Sequence, residues 1–197
     1  MLLKLDSGVN GVDLSAFLPY ISWAGDMAYF PSEVGINHHK LLAYLVKQLP
    51  AGSLVADLGT YLGASALALA SNPDIVVLTF DITKNFDTTK KTCIDLPNVT
   101  FILNDCLNCI DMFITAKIIM LDVNPHNGKQ ERKLLLELME REYKGIVICD
   151  DINLNEEMQA FWKSIGGWKK LDVTKYGHWS GTGIVVFDSE TLDLEVI

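Results

Sequence analysis

Between residues 53 and 167, short apolar runs alternate with stretches of helical spacing, and this alternation constrains the fold most strongly. The five apolar runs predicted to be strands are SLVADLG, IVVLTFD, VTFILND, AKIIMLDVN and GIVICDD. Short, uninterrupted apolar runs are typical of strands that are buried on both faces of a sheet. Strands that alternate with helices form parallel βαβ units. The sequence therefore predicts an α/β protein with an open, doubly wound, mostly parallel sheet.

The helical stretches surround these strands. INHHKLLAYLVKQLP is predicted to be a helix that ends at Pro50, and three further helices are predicted at ASALALAS, KQERKLLLELMERE and NEEMQAFWKSIGG. A weak polar helix is expected between the second and third strands. After residue 167 the alternation stops, and KKLDVTKYGHWSGTGIVVFD predicts two antiparallel strands joined by a glycine-containing loop. The first 35 residues are predicted to be irregular.

All five predicted strands end in aspartate, and this regularity is the strongest functional signal in the sequence. The residues are Asp57, Asp81, Asp105, Asp122, and the adjacent pair Asp150 and Asp151. Ligands of doubly wound sheets bind outside the carboxyl ends of the strands. A single aspartate at such a position is often only the N-cap of the next helix, whereas a series of them predicts an acidic binding cleft.

A glycine loop, VADLGTYLGAS, connects the first predicted strand to its helix. Gly59 and Gly63 allow the backbone to turn tightly and to approach a ligand closely. The dinucleotide fingerprint is not met because its further glycines are missing, and the P-loop lysine is absent. Asp81 lies where nucleotide-binding α/β folds bind ribose hydroxyls. Asp105 is placed to accept a hydrogen bond from an adenine amino group, and a helix cap is the alternative for both carboxylates.

The composition argues against two classes of partner. The formal net charge is −9 and no cluster of lysine and arginine is present, which argues against binding to a nucleic-acid backbone. No apolar run has the length of a membrane span or of a signal-peptide core. The four cysteines are too few and too irregular for a disulfide framework. A cytoplasmic location is therefore predicted.

Several of these motifs resemble those of one known class of enzymes. LVADLGTYLGASALALA, VVLTFD and FILND resemble the first three motifs of class I S-adenosylmethionine-dependent methyltransferases. Within that class, LDVNPHNGKQE, GIVICDDINL and YGHWSGTGIVVF resemble the small O-methyltransferase group described as methyltransferase domain 24. The resemblance implies a Rossmann-like, seven-stranded sheet, mostly parallel, with a C-terminal antiparallel strand pair. Residues 36–197 would be the methyltransferase domain, and residues 1–35 would cover the active site or a dimer interface.

The resemblance also implies S-adenosylmethionine as the cofactor and assigns residues to it. The residues that would wrap its methionine part are Gly59, Tyr61, Gly63 and Ser65. Asp81 would hold the ribose, and Asp105 would lie beside the adenine. Asp57 and Asp122 complete the implied cofactor-binding set. At the position of Asp57 many relatives carry the longer glutamate.

The fourth and fifth predicted strands are neighbours in the strand order of this class, so their terminal carboxylates would converge. Asp122, Asp150 and Asp151 are therefore predicted to bind Mg²⁺ or another divalent cation. The cation would hold a substrate hydroxyl and lower its pKa. The alternative is that Asp151 caps the next helix while Asp150 binds the cofactor or backbone amides.

A hydroxyl that attacks a methyl group needs a proton acceptor. His126 follows Asp122 closely and is the first candidate for the general base, with Asp122 counted as a catalytic residue beside it. His178, in the loop between the last two predicted strands, is the second candidate. His38 and His39 lie at the start of a helix, from which one of them can reach the cleft.

The sequence therefore predicts an S-adenosylmethionine-dependent O-methyltransferase, assisted by a divalent cation, that acts on a hydroxyl of a small molecule or sugar. Two alternatives stay open: a non-catalytic cofactor-binding module of the same fold, and a methyltransferase that acts on nitrogen without metal. A nicotinamide-dependent oxidoreductase is disfavoured by the missing fingerprint. A homodimer is also considered, because Trp23 and Phe30 make the N-terminal segment more apolar than a free arm requires.

Overall fold

The computed structural model of the chain describes residues 1–21, 30, 33–87 and 89–197. The strands are β1 (Leu2–Leu5), β2 (Leu54–Leu58), β3 (Val76–Asp81), β4 (Val99–Leu103), β5 (Ile118–Leu121), β6 (Ile146–Cys149), β7 (Lys169–Asp172), β8 (Gly183–Val186) and β9 (Asp193–Val196). The α-helices are α1 (Glu33–Val46), α2 (Ala64–Leu69), α3 (Ile110–Phe113), α4 (Lys129–Glu140) and α5 (Glu156–Ser164). In the described part of the chain, no helix is long and apolar enough to cross a membrane.

Seven of the strands form one sheet in the order β4-β3-β2-β5-β6-β8-β7. The pairs from β4 to β6 are all parallel. β8 is antiparallel to both of its neighbours, β6 and β7. The predicted fold class, a seven-stranded doubly wound sheet with a C-terminal antiparallel pair, is confirmed. The strand order reverses direction beside β2, so β2, β3 and β5 surround the position where ligands of such sheets bind.

Both faces of the sheet are buried, as the uninterrupted apolar strands predict. Successive residues of each strand point to opposite faces, and they divide between two apolar clusters. Val55 and Ile118 belong to the cluster that packs against α1 and α2. Ala56 and Ile119, their neighbours along the strands, belong to the cluster that packs against α4 and α5. This burial fixes the register of the strands, and with it the positions of the residues at their carboxyl ends.

The prediction of a weak polar helix between β3 and β4 was wrong. The described residues of that connection contain only a 3-10 turn at Cys93–Asp95. Side chains bind nearby backbone amides there instead. Asp87 accepts hydrogen bonds from the amide and the hydroxyl of Thr89, at 2.9 and 2.7 Å. Such local bonds compete with the hydrogen bonds of a helix.

The N-terminal segment is less irregular than predicted. Leu2–Leu5 forms β1, which pairs in parallel with Asp193–Val196, the strand β9 near the other end of the chain. Leu3 and Leu5 are fully buried, so this two-stranded sheet adds to the core beneath α1. Phe30 is buried as well, and its ring lies 4.6 Å from that of His39. Trp23 lies outside the described residues.

Candidate active site

A cleft of about 580 Å³ opens at the carboxyl edge of β2, β3, β4 and β5. This volume lies within the usual range for small-molecule sites, roughly 300–1,000 Å³. The predicted site residues that line the cleft are Gly59, Tyr61, Asp81, Asp105, Asp122 and His126. Gly63, Ser65, Asp57, Asp150, Asp151 and His178 are not part of its wall. The structure thus brings half of the predicted site residues directly to one cavity.

The glycine loop is held against the ends of two strands. The amides of Gly59 and Thr60 both donate to the carbonyl of Phe80, at 2.9 and 3.0 Å. Gly59 has a φ of +102°, and a Cβ built there would lie 1.7 Å from the carbonyl oxygen of Asp122. Only glycine fits both the conformation and the space. The loop therefore packs directly against the end of β5 at the boundary between β2 and β5.

Asp57 lies beneath this loop and is fully buried. Its Oδ2 accepts a hydrogen bond of 2.6 Å from the hydroxyl of Thr79. Its Oδ1 is also buried and meets no hydrogen-bond partner among the described residues. Burial raises the pKa of the Asp57 carboxyl to about 6, and Thr79 and Ser65 oppose that shift only in part. The buried Oδ1 therefore keeps the capacity to accept a further hydrogen bond.

The raised pKa predicts how Asp57→Asn changes the stability of the protein with pH. The unfolded carboxyl ionises near its usual pKa of 3.8, whereas the folded one keeps its proton until about pH 6. The folded state binds more protons in this window, so the wild type loses stability as the pH rises through it. Asparagine cannot ionise. Relative to the wild type, the variant should therefore gain about 2–3 kcal/mol between roughly pH 4 and pH 7.

Urea unfolding of both proteins across that pH range measures this difference directly. A stability difference that does not vary with pH would contradict it. Because asparagine can still accept from Thr79 but is not an anion, the variant should also bind a cationic amino group less tightly at neutral pH.

Asp81 and Asp105 both face the cleft, and both also stabilise local backbone. Asp81 Oδ2 accepts from the amide of Tyr61 at 2.8 Å, while its Oδ1 accepts from the amide of Thr83 at 3.0 Å. Asp105 Oδ1 accepts from the amide of Leu107 at 2.9 Å and caps the 3-10 turn Cys106–Asn108. A carboxylate has lone pairs for further donors. The cap and the ligand-binding interpretations of these residues are therefore compatible.

The other residues predicted to wrap the methionine part occupy different positions. Tyr61 has a φ of +44°, and its side chain is exposed at the mouth of the cleft. Gly63 has a φ of +90° at the N-cap of α2, and a Cβ there would lie 2.6 Å from the sulfur of Cys93. Gly63 thus allows α2 to pack against the turn that contains Cys93. Ser65 lies in the first turn of α2, above Asp57.

An outer cluster is made of Asp122 and His126, which line the cleft beyond β5, and of Asp151, which faces His126 from outside the cleft wall. His126 Nδ1 lies 3.3 Å from Asp151 Oδ2 and 3.7 Å from Asp122 Oδ1. The three residues each place one ligand atom within 4.8 Å of the other two. Burial and the neighbouring Asp150 raise the pKa of Asp122 well above its usual range, and His126 partly opposes this. A positive charge or a proton donor is therefore favoured at this end of the cleft.

An inner cluster lies behind it and consists of His38, Asp150, Asp151 and His178. Asp150 is buried, 3.7 Å from Nδ1 of His38 and 3.5 Å from the hydroxyl of Thr182. Asp151 belongs to both clusters, because its backbone has a φ of +60° and its two oxygens face opposite ways. The three carboxylates predicted to hold one cation are thus divided between two sets. Asp151 does not cap α5, because the cap of that helix is Asn155.

The predicted second base, His178, is largely enclosed and does not line the cleft. Its Nδ1 contacts the hydroxyl of Ser180, which in turn donates to Asp151 Oδ1. Its ring lies 5.7 Å from that of His38 and 5.6 Å from that of Trp179. Burial lowers the pKa of His178. His126 is therefore the histidine with direct access to the cleft.

Two polar residues near the site were missed in the sequence. Glu131 on α4 is buried, and neither of its carboxyl oxygens has a hydrogen-bond partner among the described residues. Glu131 is at helical spacing from Leu134, Leu135 and Leu138, which are all buried on the same helix. A charged residue on the apolar face of a predicted helix was the signal in the sequence that could have indicated its burial. Asn155 donates from Nδ2 to the carbonyl of His126 at 3.0 Å. It therefore links α5 to the loop that carries the candidate base.

Asn155 performs two tasks that substitution can separate. Its Oδ1 caps α5 by accepting from the amide of Met158 at 2.9 Å, and its Nδ2 holds the His126 loop. Asn155→Asp keeps a good cap but removes the donor, so stability should change little while any turnover that depends on His126 falls several-fold. Asn155→Ala should lose both functions and about 1 kcal/mol of stability. Thermal unfolding and turnover, measured on both variants and on the wild type, test this. Turnover should fall by the same factor in both variants, because both lack the donor. Wild-type turnover in Asn155→Asp would show that the bond to the His126 loop does not matter.

Comparison with known proteins yields structural matches alone. No protein-family model matches the sequence, and a search of curated proteins finds no match. A methyltransferase from Geobacter sulfurreducens aligns with a TM-score of 0.58 and 16% identity, over 89% of this chain and 89% of that one. The chain has the fold of the class I methyltransferases.

Two further solved structures agree with this fold. Cofactor-bound Rv0187 from MTB aligns with a TM-score of 0.58 and 16% identity, over 76% of this chain and 78% of that one. A Staphylococcus aureus protein, named provisionally as a caffeoyl-CoA O-methyltransferase, gives a TM-score of 0.53 and 16% identity, over 75% of this chain and 81% of that one. At such identities the matches establish the fold only.

Proposed function

We propose that this protein is an S-adenosylmethionine-dependent methyltransferase that methylates a hydroxyl group of a small molecule or sugar. The observation that carries the proposal is the continuity of one cleft. Asp81 and Asp105 line it at the β3–β4 side, and Asp122 and His126 line it beyond β5. A cofactor bound beside Asp81 and Asp105 would direct its reactive group toward Asp122 and His126, where His126 can accept a proton.

The residues of the glycine loop fit the cofactor. Asp57 lies buried beneath the glycine loop, so the negative charge of its carboxylate would attract the amino group of the methionine part toward that loop. Asp81 and Asp105 retain acceptor capacity for ribose hydroxyls and for the adenine amino group. When bound, S-adenosylmethionine supplies an electrophilic methyl group on a sulfonium centre. The role of the chain is then to align an acceptor oxygen with it, and this alignment provides much of the rate enhancement.

His126 is the proposed general base. Its Nδ1 faces Asp151 and Asp122 at 3.3 and 3.7 Å, which favours the tautomer with the proton on Nδ1 and leaves Nε2 to accept the proton of the acceptor hydroxyl. The two carboxylates would stabilise the imidazolium that results. In other enzymes a carboxylate likewise orients the histidine that acts as a general base and stabilises its protonated form.

A divalent cation is the second element of the proposal. Asp122, Asp151 and His126 fit such an ion, because their ligand atoms lie within 4.8 Å of one another. When bound, a cation would hold the acceptor hydroxyl and lower its pKa. His126 would then serve as a ligand rather than as the base. Dependence of turnover on metal therefore distinguishes the two roles of this histidine.

The acceptor class follows from charge. The net charge of −9 and the acidic cleft disfavour phosphate-rich acceptors such as nucleic acids. A neutral or cationic small molecule that carries a hydroxyl group is a more suitable acceptor for an acidic cleft. Methylation of nitrogen without metal is the nearest competitor, since His126 could also take a proton from an amine. Location in the cytoplasm and a homodimer remain part of the proposal.

The first experiment is thermal unfolding with S-adenosylhomocysteine, the product of the cofactor. Binding to the folded state should raise the Tm. Asp81→Asn should weaken binding about 10-fold or more. Asp74→Asn is the matched control, because Asp74 is exposed and precedes the opposite end of β3. An absence of any stabilisation by this compound would refute the proposal.

The second experiment separates the enzyme from a non-catalytic module and tests the cation. Methyl transfer from labelled S-adenosylmethionine is measured with a panel of catechols, polyols and sugars, with Mg²⁺ or with EDTA. Binding of the cofactor without transfer to any acceptor would favour the non-catalytic module. Transfer that EDTA leaves unchanged would remove the cation and retain His126 as the base.

A further inference from the structure

A chain of side-chain contacts leads from His126 into the interior of the protein. Nδ1 of His126 lies 3.3 Å from Asp151 Oδ2, and the other oxygen of Asp151 accepts a hydrogen bond from the hydroxyl of Ser180. The same hydroxyl contacts Nδ1 of His178. Ser180 is 1% exposed and is not part of the cleft wall. The chain of contacts therefore begins at the cleft and ends in a buried loop.

The backbone fixes the position of Ser180. Its carbonyl accepts from the amide of Asn153 at 2.7 Å, and the carbonyl of Gly181 accepts from the amide of Ile152 at 3.1 Å. Gly181 has a φ of +97°, and a Cβ there would lie 2.5 Å from Nδ2 of Asn153. The β7–β8 loop therefore packs directly against the residues that follow Asp151. Because a serine side chain is short, its hydroxyl is held beside this carboxylate at little cost in side-chain entropy.

The number of available hydrogens sets the direction of each bond. A serine hydroxyl carries one hydrogen, and an ionised carboxylate carries none. Because Ser180 donates to Asp151, its contact with His178 requires a hydrogen on Nδ1 of that histidine. Asp151 Oδ2 can likewise accept from the Nδ1–H of His126. Asp151 is thus held as an acceptor between Ser180 on one side and His126 on the other.

We propose that Ser180 is a positioning residue for His126 and that it acts through Asp151. The inference rests on the proposed function, in which His126 is the general base. A carboxylate can rotate about its terminal bond, and the hydrogen bond from Ser180 to Oδ1 restricts that rotation so that Oδ2 faces His126. A fixed acceptor at Nδ1 determines the tautomer of the imidazole and leaves Nε2 to take up a proton. Loss of the hydroxyl would therefore slow the proton transfer although Ser180 contacts neither substrate.

Ser180→Ala is expected to lower methyl-transfer turnover about 10-fold, a usual loss when a hydrogen bond to a charged group is removed. The KM for the acceptor should change less than about 2-fold, because Ser180 does not line the cleft. Ser71→Ala is the matched control, because it also removes a buried hydroxyl, one that has no hydrogen-bond partner among the described residues. It should retain the turnover of the wild type. Unchanged turnover in Ser180→Ala would overturn the proposal.

A double-mutant cycle with Asp151→Asn tests whether Ser180 acts through Asp151. Asparagine tolerates the left-handed backbone at this position, where φ is +60°, but it lacks the charge that would hold His126. In the Asp151→Asn background, Ser180→Ala should lower turnover further by less than about 2-fold. An undiminished loss in that background would mean that Ser180 acts independently of Asp151, and the proposal would be wrong.

Heteronuclear NMR of isotope-labelled histidines gives a reading that needs no turnover. The chain has four histidines, so single substitutions to glutamine assign the signals. His126 and His178 should both carry a proton on Nδ1 in the wild type, and His126 should shift toward a mixture of tautomers in Ser180→Ala. Unchanged His126 signals in that variant, or a neutral His178 with its proton on Nε2, would contradict the proposal. If the spectra change as expected but the wild type methylates no acceptor, the proposed function fails and the role of Ser180 in orienting His126 stands.

Discussion

Replacement of His126 by glutamine is expected to lower methyl-transfer turnover about 10²–10⁴-fold, the usual contribution of a general base. Glutamine approximates the size of the imidazole but cannot take up a proton. The affinity for S-adenosylhomocysteine should change less than about 3-fold, because His126 lies beyond β5 and the predicted cofactor residues Asp81 and Asp105 lie at the opposite side of the cleft. The loss should therefore fall on turnover and leave cofactor binding nearly intact.

The measurement is the initial rate of label transfer to the best acceptor of the hydroxyl panel, together with calorimetric titration of the cofactor product. His39→Gln controls for the general cost of removing an imidazole, since His39 is buried against Phe30 and away from the cleft. If His126→Gln retains most of its turnover, the base has been assigned wrongly. If cofactor affinity falls as much as turnover, the substitution has disturbed the cleft as a whole.

Gly59→Ala is expected to destabilise the protein by about 3 kcal/mol or more. The left-handed conformation of this residue costs roughly 1–3 kcal/mol for alanine, and the overlap of its Cβ with the carbonyl of Asp122, at 1.7 Å, adds the cost of moving a strand end. Movement of β5 away from β2 would also displace the outer cluster. Cofactor binding and turnover should therefore fall together with stability.

Two other glycines separate the causes of this effect in urea unfolding. Gly52 has a φ of +76° and open space around its Cβ position, so Gly52→Ala should show the conformational cost alone, about 1 kcal/mol. Gly166 has open space and no positive φ, so Gly166→Ala should change stability by less than about 0.5 kcal/mol. Equal costs for Gly59→Ala and Gly52→Ala would mean that the loop can move away from β5 freely.

The strands and their acidic ends were predictable because the signals are local. Apolar runs such as those of β5 and β6 are buried on both faces in any parallel sheet, and the aspartate that follows each one is placed by the strand itself. Asp81, Asp105 and Asp122 therefore line the cleft at the strand ends, as the sequence predicts. The connection after β3 was wrongly predicted as a helix, because side-chain bonds such as those that Asp87 accepts from Thr89 stabilise turns in place of helical hydrogen bonds.

The arrangement of the candidate site depended on contacts that no local pattern contains. The left-handed backbone of Asp151 turns its two oxygens toward different histidines, so the three predicted cation ligands divide between two clusters. His38 joins one of them from α1, more than 100 residues away along the chain. Asn155 holds the His126 loop from α5. Each of these contacts exists only after helices have packed on the sheet.

The sequence by itself determined the α/β class, the C-terminal antiparallel strand pair and the edge of the sheet at which the cleft opens. These follow from hydrophobic periodicity and from the chemistry of single strand ends, which act over a few residues. Only the tertiary structure decided that β1 pairs with β9 and that Asp150 and Asp151 serve different clusters. Pairing of distant segments and the direction of a side chain depend on the packing of the whole core, and a pattern of neighbouring residues does not encode them.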